Sequence, residues 1–144
     1  MNIRITKEFN FEMAHALFGY DGPCKNIHGH SYKLAICVKG MPNTDKLNPK
    51  QGMVIDFSII KKIVSRVIIE KYDHALVLNK ADAFIYPGLQ NHKLILADYQ
   101  PTCENLLIEF VKQIIAELPV EINLQYVKLR ETNTSFAEWH KEDN

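Results

Sequence analysis

Between Ile3 and His15 the side chains alternate in character. Ile3, Ile5, Phe9, Phe11, Met13 and His15 fall on one side, with Lys7 the only exception, and Arg4, Thr6, Glu8, Asn10 and Glu12 fall on the other. A period of two marks a strand with one buried face, because successive side chains point to opposite faces of a sheet. The period returns over residues 28–39, where His28, His30, Tyr32, Leu34, Ile36 and Val38 share a face. The stretch between them, GYDGPCKN, is rich in turn residues. The two strands are therefore expected to pair as an antiparallel hairpin with a long loop.

Further along, the period changes. Asp56 or Ser58 can cap a helix that buries Ile59, Ile60, Ile63, Val64, Val67 and Ile68 and runs to about Lys71. Residues 75–100 are mixed, with Pro87-Gly88 as a clear break. A second helix starts at PTCEN, with Thr102 as N-cap and Glu104 in the first turn, where the helix dipole favours an anion. Its apolar stripe runs from Leu106 to Leu118, and Pro119 ends it. EINLQYVKLRE and SFAEWHK read as a final hairpin turned at Thr132–Thr134. The order ββααββ predicts an α+β fold, with two helices packed on one face of a four-stranded antiparallel sheet. A length of 144 residues predicts one domain, 1–144, with one core.

Charge narrows the functional classes. Lys plus Arg and Asp plus Glu both number 17, so the chain lacks the cationic excess of a nucleic-acid surface. A local pocket can still hold a small anionic substrate. The N-terminus has no apolar signal region, and no apolar run approaches the roughly 20 residues of a membrane span. The three cysteines, Cys24, Cys37 and Cys103, are odd in number and form no CxxC. A reduced, cytoplasmic compartment is expected, without a disulfide framework or membrane association.

Chemistry concentrates in CKNIHGH, residues 24–30. His28 and His30 point to one face of their strand, and His15 ends the matching face of its partner. A lone inward histidine is usually a hydrogen-bonded core residue. Three converging imidazoles are costly to bury without a metal and suit Zn²⁺, which catalytic sites hold with three protein ligands and one open position. Gly29 allows another group to approach closely. Cys24 is either a fourth ligand of a closed site or a thiolate base or nucleophile beside an open one. Cys37 and Cys103 read as packing residues, and His92 and His140 as surface residues. Asp73-His74 is a proton relay or merely a polar helix end. Glu131, at a strand end, reads by itself as a surface acid.

Six stretches in order, FEMAHAL, CKNIHGHSY, GMVIDF, YDHALVLN, PTCEN and ETNTSFAEW, resemble the 6-pyruvoyl-tetrahydropterin synthase and 6-carboxy-tetrahydropterin synthase family along nearly the whole chain. The resemblance implies the tunnelling or T-fold, with trimers closing their sheets into a barrel and two trimers stacking as a hexamer. It implies zinc on His15, His28 and His30, and Cys24 as proton acceptor. It also implies a relay of Asp73 and His74, Glu131 gripping the pterin and joining that relay, and Thr102 and Glu104 lining the pocket. Its sites lie at subunit junctions, with Asp73 and His74 supplied by the neighbouring chain.

Three residues separate Cys24 from His28, a spacing similar to that of the bacterial queuosine-pathway branch. That branch converts 7,8-dihydroneopterin triphosphate to 6-carboxy-tetrahydropterin, acetaldehyde and triphosphate. The alternatives are elimination of triphosphate to the pyruvoyl product and a non-catalytic zinc or pterin-binding module. Lys25 is a candidate for holding the triphosphate. The stretch from Lys80 to Gln100 is longer than in compact members and leaves the pocket rim open.

Overall fold

The computed structural model describes residues 1–85 and 87–144, with only the backbone of Gln90. Strands β1 (Ile3–His15) and β2 (His28–Gly40) pair antiparallel from Ile3 opposite Gly40 to His15 opposite His28. The expected hairpin is thus long, and its histidines lie at the loop end. The last hairpin, β5 (Asn123–Arg130) and β6 (Phe136–His140), joins the sheet through β2, with a register shift between Cys37 and Val38.

Helix α1 (Phe57–Val64) opens on Asp56, whose carboxylate accepts the Ser58 N–H at 2.8 Å. The helical path continues through a wider π-helical segment, Ser65–Ile69, and closes with α2 (Glu70–Tyr72). Thr102 caps α3 (Cys103–Glu117) by accepting the Asn105 N–H at 3.3 Å. Ile60, Val64 and Ile68 from the first helical path, and Leu106, Phe110 and Ile114 from α3, pack onto Phe11, Tyr32, Leu34 and Ile36 of the sheet. The helices leave the start of β1 uncovered: Ile3 is exposed, whereas Phe11, Met13 and His15 are buried.

The sheet is larger than the four-stranded antiparallel expectation. Among the described residues it has six strands in the order β4-β3-β1-β2-β5-β6. The additional β3 (Ala75–Asn79) runs parallel to β1, and β4 (Leu94–Ala97) runs parallel to β3. The physical reason is burial. Ala75 to Leu78 are all buried, so this strand shows a continuous apolar run with no alternation to read. The long 80–100 stretch includes the turn at Gly88, with φ of 92°, and the edge strand β4. No helix among the described residues is long and apolar enough to cross a membrane.

Candidate functional site

The β1–β2 register sets His15 opposite His28 and Met13 opposite His30, so His30 lies diagonally from His15 on the same face. Each histidine offers one ring nitrogen, and these three atoms all lie within 4.8 Å of one another. Gly29, between two of them, runs close to the partner strand: a Cβ there would sit 3.3 Å from the Met13 carbonyl oxygen.

Carbonyl groups select the tautomers. The Nδ1–H of His15 donates to the Pro101 carbonyl at 2.6 Å, and that of His28 donates to the Asn26 carbonyl at 2.8 Å. In the neutral rings both Nε2 atoms then carry lone pairs, and these face each other at 3.1 Å. Nε2 of His30 is buried with no hydrogen-bond partner. Burial lowers the pKa of His15, opposed by the Pro101 carbonyl and Glu131, and burial likewise lowers that of His30, opposed by Glu131. Neutral imidazoles with converging lone pairs fit a metal cation better than they fit one another. Donor atoms on a tetrahedral zinc with bonds of ~2.0–2.1 Å lie roughly 3.3 Å apart, close to the His15–His28 spacing.

These histidines line a cavity of about 380 Å³ together with Cys24, Thr102, Glu104 and Glu131. Cys24 is half-buried in a 3₁₀ turn, Pro23–Lys25, and its carbonyl accepts the Leu17 N–H at 2.9 Å. It stands beside the three-histidine cluster rather than within it. Glu131 follows directly on β5. Its Oε1 accepts the Tyr32 O–H at 3.0 Å and lies 3.5 Å from His15 Nε2 and 3.8 Å from His30 Nε2. Burial, followed by the Glu131 charge, pushes the Tyr32 phenol far above its usual range. Cys103 also lines the cavity, but burial raises its thiol to about 11, and its S–H points at the Leu129 carbonyl.

Asp73 and His74 lie elsewhere in the chain. Nδ1 of His74 is 3.0 Å from Oδ1 of Asp73, and the same oxygen accepts the Glu12 N–H at 2.9 Å. That amide and, after it, His74 hold the Asp73 carboxyl below its usual range. His74 is 76% exposed and lines a second depression with His92 and Lys93. His30 borders both hollows; Cys24 lines only the first and His74 only the second.

Three contributors escaped the sequence reading. Tyr32 was visible only as the next inward residue after His30. Pro101 acts through its carbonyl, which no side-chain pattern reports. His92 is exposed, as expected, yet lines the same depression as His74. His140 keeps a peripheral place, stacked on Tyr126.

Fold and site together define a T-fold protein with a three-histidine centre at one end of its long hairpin. The family profile described as 6-pyruvoyl tetrahydropterin synthase matches residues 4–142, and the chain belongs to that family. It is 36% identical to the 6-carboxy-5,6,7,8-tetrahydropterin synthase of Haemophilus influenzae over 143 residues, covering 96% of this chain and 99% of that one. It is 33% identical to the protein of the same name from Rickettsia typhi over 141 residues, covering 94% and 99%. In fold it is similar to the Caenorhabditis elegans 6-pyruvoyl tetrahydropterin synthase, with a TM-score of 0.71 at 21% identity, covering 97% of this chain and 96% of that one.

Proposed function

We propose that the protein is a lyase that converts 7,8-dihydroneopterin triphosphate and water to 6-carboxy-5,6,7,8-tetrahydropterin, acetaldehyde and triphosphate, supplying the queuosine and 7-deazapurine route in the cytoplasm. The observation that carries the reading is the buried, unpartnered His30 Nε2, one of three clustered histidines that line a cavity together with Cys24 and Glu131. The carboxy branch is favoured by the names of the full-length relatives and by the Cys24–His28 spacing.

The zinc expected on His15, His28 and His30 would supply Lewis acidity to the hydroxyl groups of the substrate side chain. Glu131 is partly exposed, at 21%, and can accept hydrogen bonds from the amino and ring N–H groups of a pterin. Thr102 and Glu104 line the same cavity, although the Thr102 oxygen also serves as the helix cap. Cys24 is the proton acceptor. Asp73 holds Nδ1–H of His74 and leaves its Nε2 free to move protons.

Because Cys24 and His74 open into different hollows of one chain, the reading places His74 in the site of an adjoining copy. A ring of three chains, stacked as a hexamer, would satisfy that requirement.

Incubation with 7,8-dihydroneopterin triphosphate and mass analysis of the products tests the proposal. Acetaldehyde with the carboxy-pterin supports it. A pyruvoyl-pterin product replaces it with simple elimination, and unchanged substrate with zinc-loaded protein replaces it with a binding module.

A further inference from the structure

We infer that Tyr32 is a positioning residue whose buried hydroxyl holds the Glu131 carboxylate off the metal and keeps the fourth ligand position open for substrate. The inference rests on the reading of His15, His28 and His30 as zinc ligands.

Glu131 is an anionic group placed beside the histidines, where it could become a fourth ligand. Its Oε1 lies 3.5 Å and 3.8 Å from two of the three ligand nitrogens. Ligand atoms sharing a tetrahedral zinc lie roughly 3.3 Å apart, so this oxygen stands close to two of the donors while it remains outside the three-histidine cluster itself. A carboxylate is an ordinary zinc ligand, and one more here would produce the four-protein-ligand set of a closed, structural centre. Something must restrain it.

The restraint visible in the structure is Tyr32. Its O–H donates to the same Oε1 at 3.0 Å. The ring cannot follow a moving carboxylate, because Tyr32 is fully buried. It stacks on Phe11 at 5.3 Å with 11° between the planes, and His15 and His30 meet it edge-on. Were Glu131 to turn onto the metal, a buried hydroxyl would lose its acceptor. A plain packing role explains the buried ring, and phenylalanine would fill that role equally well. It leaves unexplained why the hydroxyl meets the one carboxylate oxygen that faces the histidines.

Zinc and cobalt(II), used as bare ions, test the inference on the full-length protein. Wild-type protein loaded with cobalt should change its visible spectrum when azide is added, because an open position accepts an external ligand. Tyr32→Phe should bind zinc about 10-fold more tightly in competition with a chelator, a change within the range that groups orienting metal ligands command. Its cobalt spectrum should differ from wild type and should no longer respond to azide. Adding Glu131→Gln to Tyr32→Phe should restore both wild-type affinity and azide response. Glu131→Gln alone should leave zinc affinity unchanged, and this measurement stands even if Tyr32→Phe does not fold.

Unaltered metal affinity and azide response in folded Tyr32→Phe would overturn the inference. So would a large loss of zinc affinity in Glu131→Gln, which would make Glu131 a ligand already. A wild-type protein that takes up neither metal overturns the three-histidine reading itself, an outcome distinct from both.

Discussion

His74 donates its backbone N–H to the carbonyl of Glu12 at 2.6 Å, while the N–H of Glu12 returns to the Asp73 carboxylate. One residue of β1 thus holds both members of the pair. The grip matters because His74 has φ of 59°, a left-handed conformation uncommon outside glycine, and these bonds help to hold it. Lys93 completes the clamp, with its ammonium donating to the carbonyls of Glu70 and Asp73, each at 2.7 Å.

Lys93→Met is expected to lower kcat about 10- to 100-fold while leaving KM nearly unchanged, the effect of a displaced catalytic group rather than of lost substrate contacts. Steady-state kinetics, with zinc content checked in parallel, measure it. An unchanged kcat would show that Glu12 alone sets the geometry.

Each of His15→Ala, His28→Ala and His30→Ala is expected to lose zinc, as read by elemental analysis of metal-replete protein. Cys24→Ala should keep zinc and fold but lose turnover, since its thiol stands outside the histidine cluster. Full zinc retention in all three histidine variants would remove the centre. Joint loss of zinc and activity in Cys24→Ala would make the thiol a ligand.

The metal-free protein should lose stability in mild acid. His15 and His30 both have pKa values below the ordinary 6.5, chiefly through burial. Below 6.5 the unfolded chain therefore binds more protons than the native one. Stability falls as pH drops from 6.5 toward the native values and rises again on return. Thermal melts of chelator-treated protein at about pH 7.5 and pH 5.5 should show a lower Tm at the acid value. A His15→Gln, His30→Gln double variant should flatten the difference.

Cys24→Ala and His74→Ala, each inactive by itself, should regain activity when co-expressed. With random mixing of shared sites, about one quarter of the sites would be intact, an upper guide when catalytic groups act as a unit. Mixed oligomers that mass measurement confirms but that stay inactive would show that each chain carries its own complete set.

The features most legible in the sequence were those with a period. Alternation in β1 and β2 brought His15, His28 and His30 to one face, and the structure sets their ring nitrogens together. The caps at Asp56 and Thr102 were legible because their oxygens serve the adjacent backbone. By contrast, β3 was hidden by its own burial, since a strand covered on both faces does not alternate. The Tyr32–Glu131 bond spans most of the chain and has no local signal. Cys24 was legible as a residue near the centre but not as ligand or base, because the direction of a loop side chain follows no period.

The widened segment Ser65–Ile69 has a geometric consequence for the relay. A residue added to or taken from a helix turns everything after it by about 100° around the axis. The wide turn therefore acts as a phase adjustment between α1 and α2. It lets Ile60, Val64 and Ile68 face the core and still brings Tyr72 inward. The azimuth at which Asp73 leaves the helix, and meets Glu12, is thus decided upstream, where the winding loosens at Ser65.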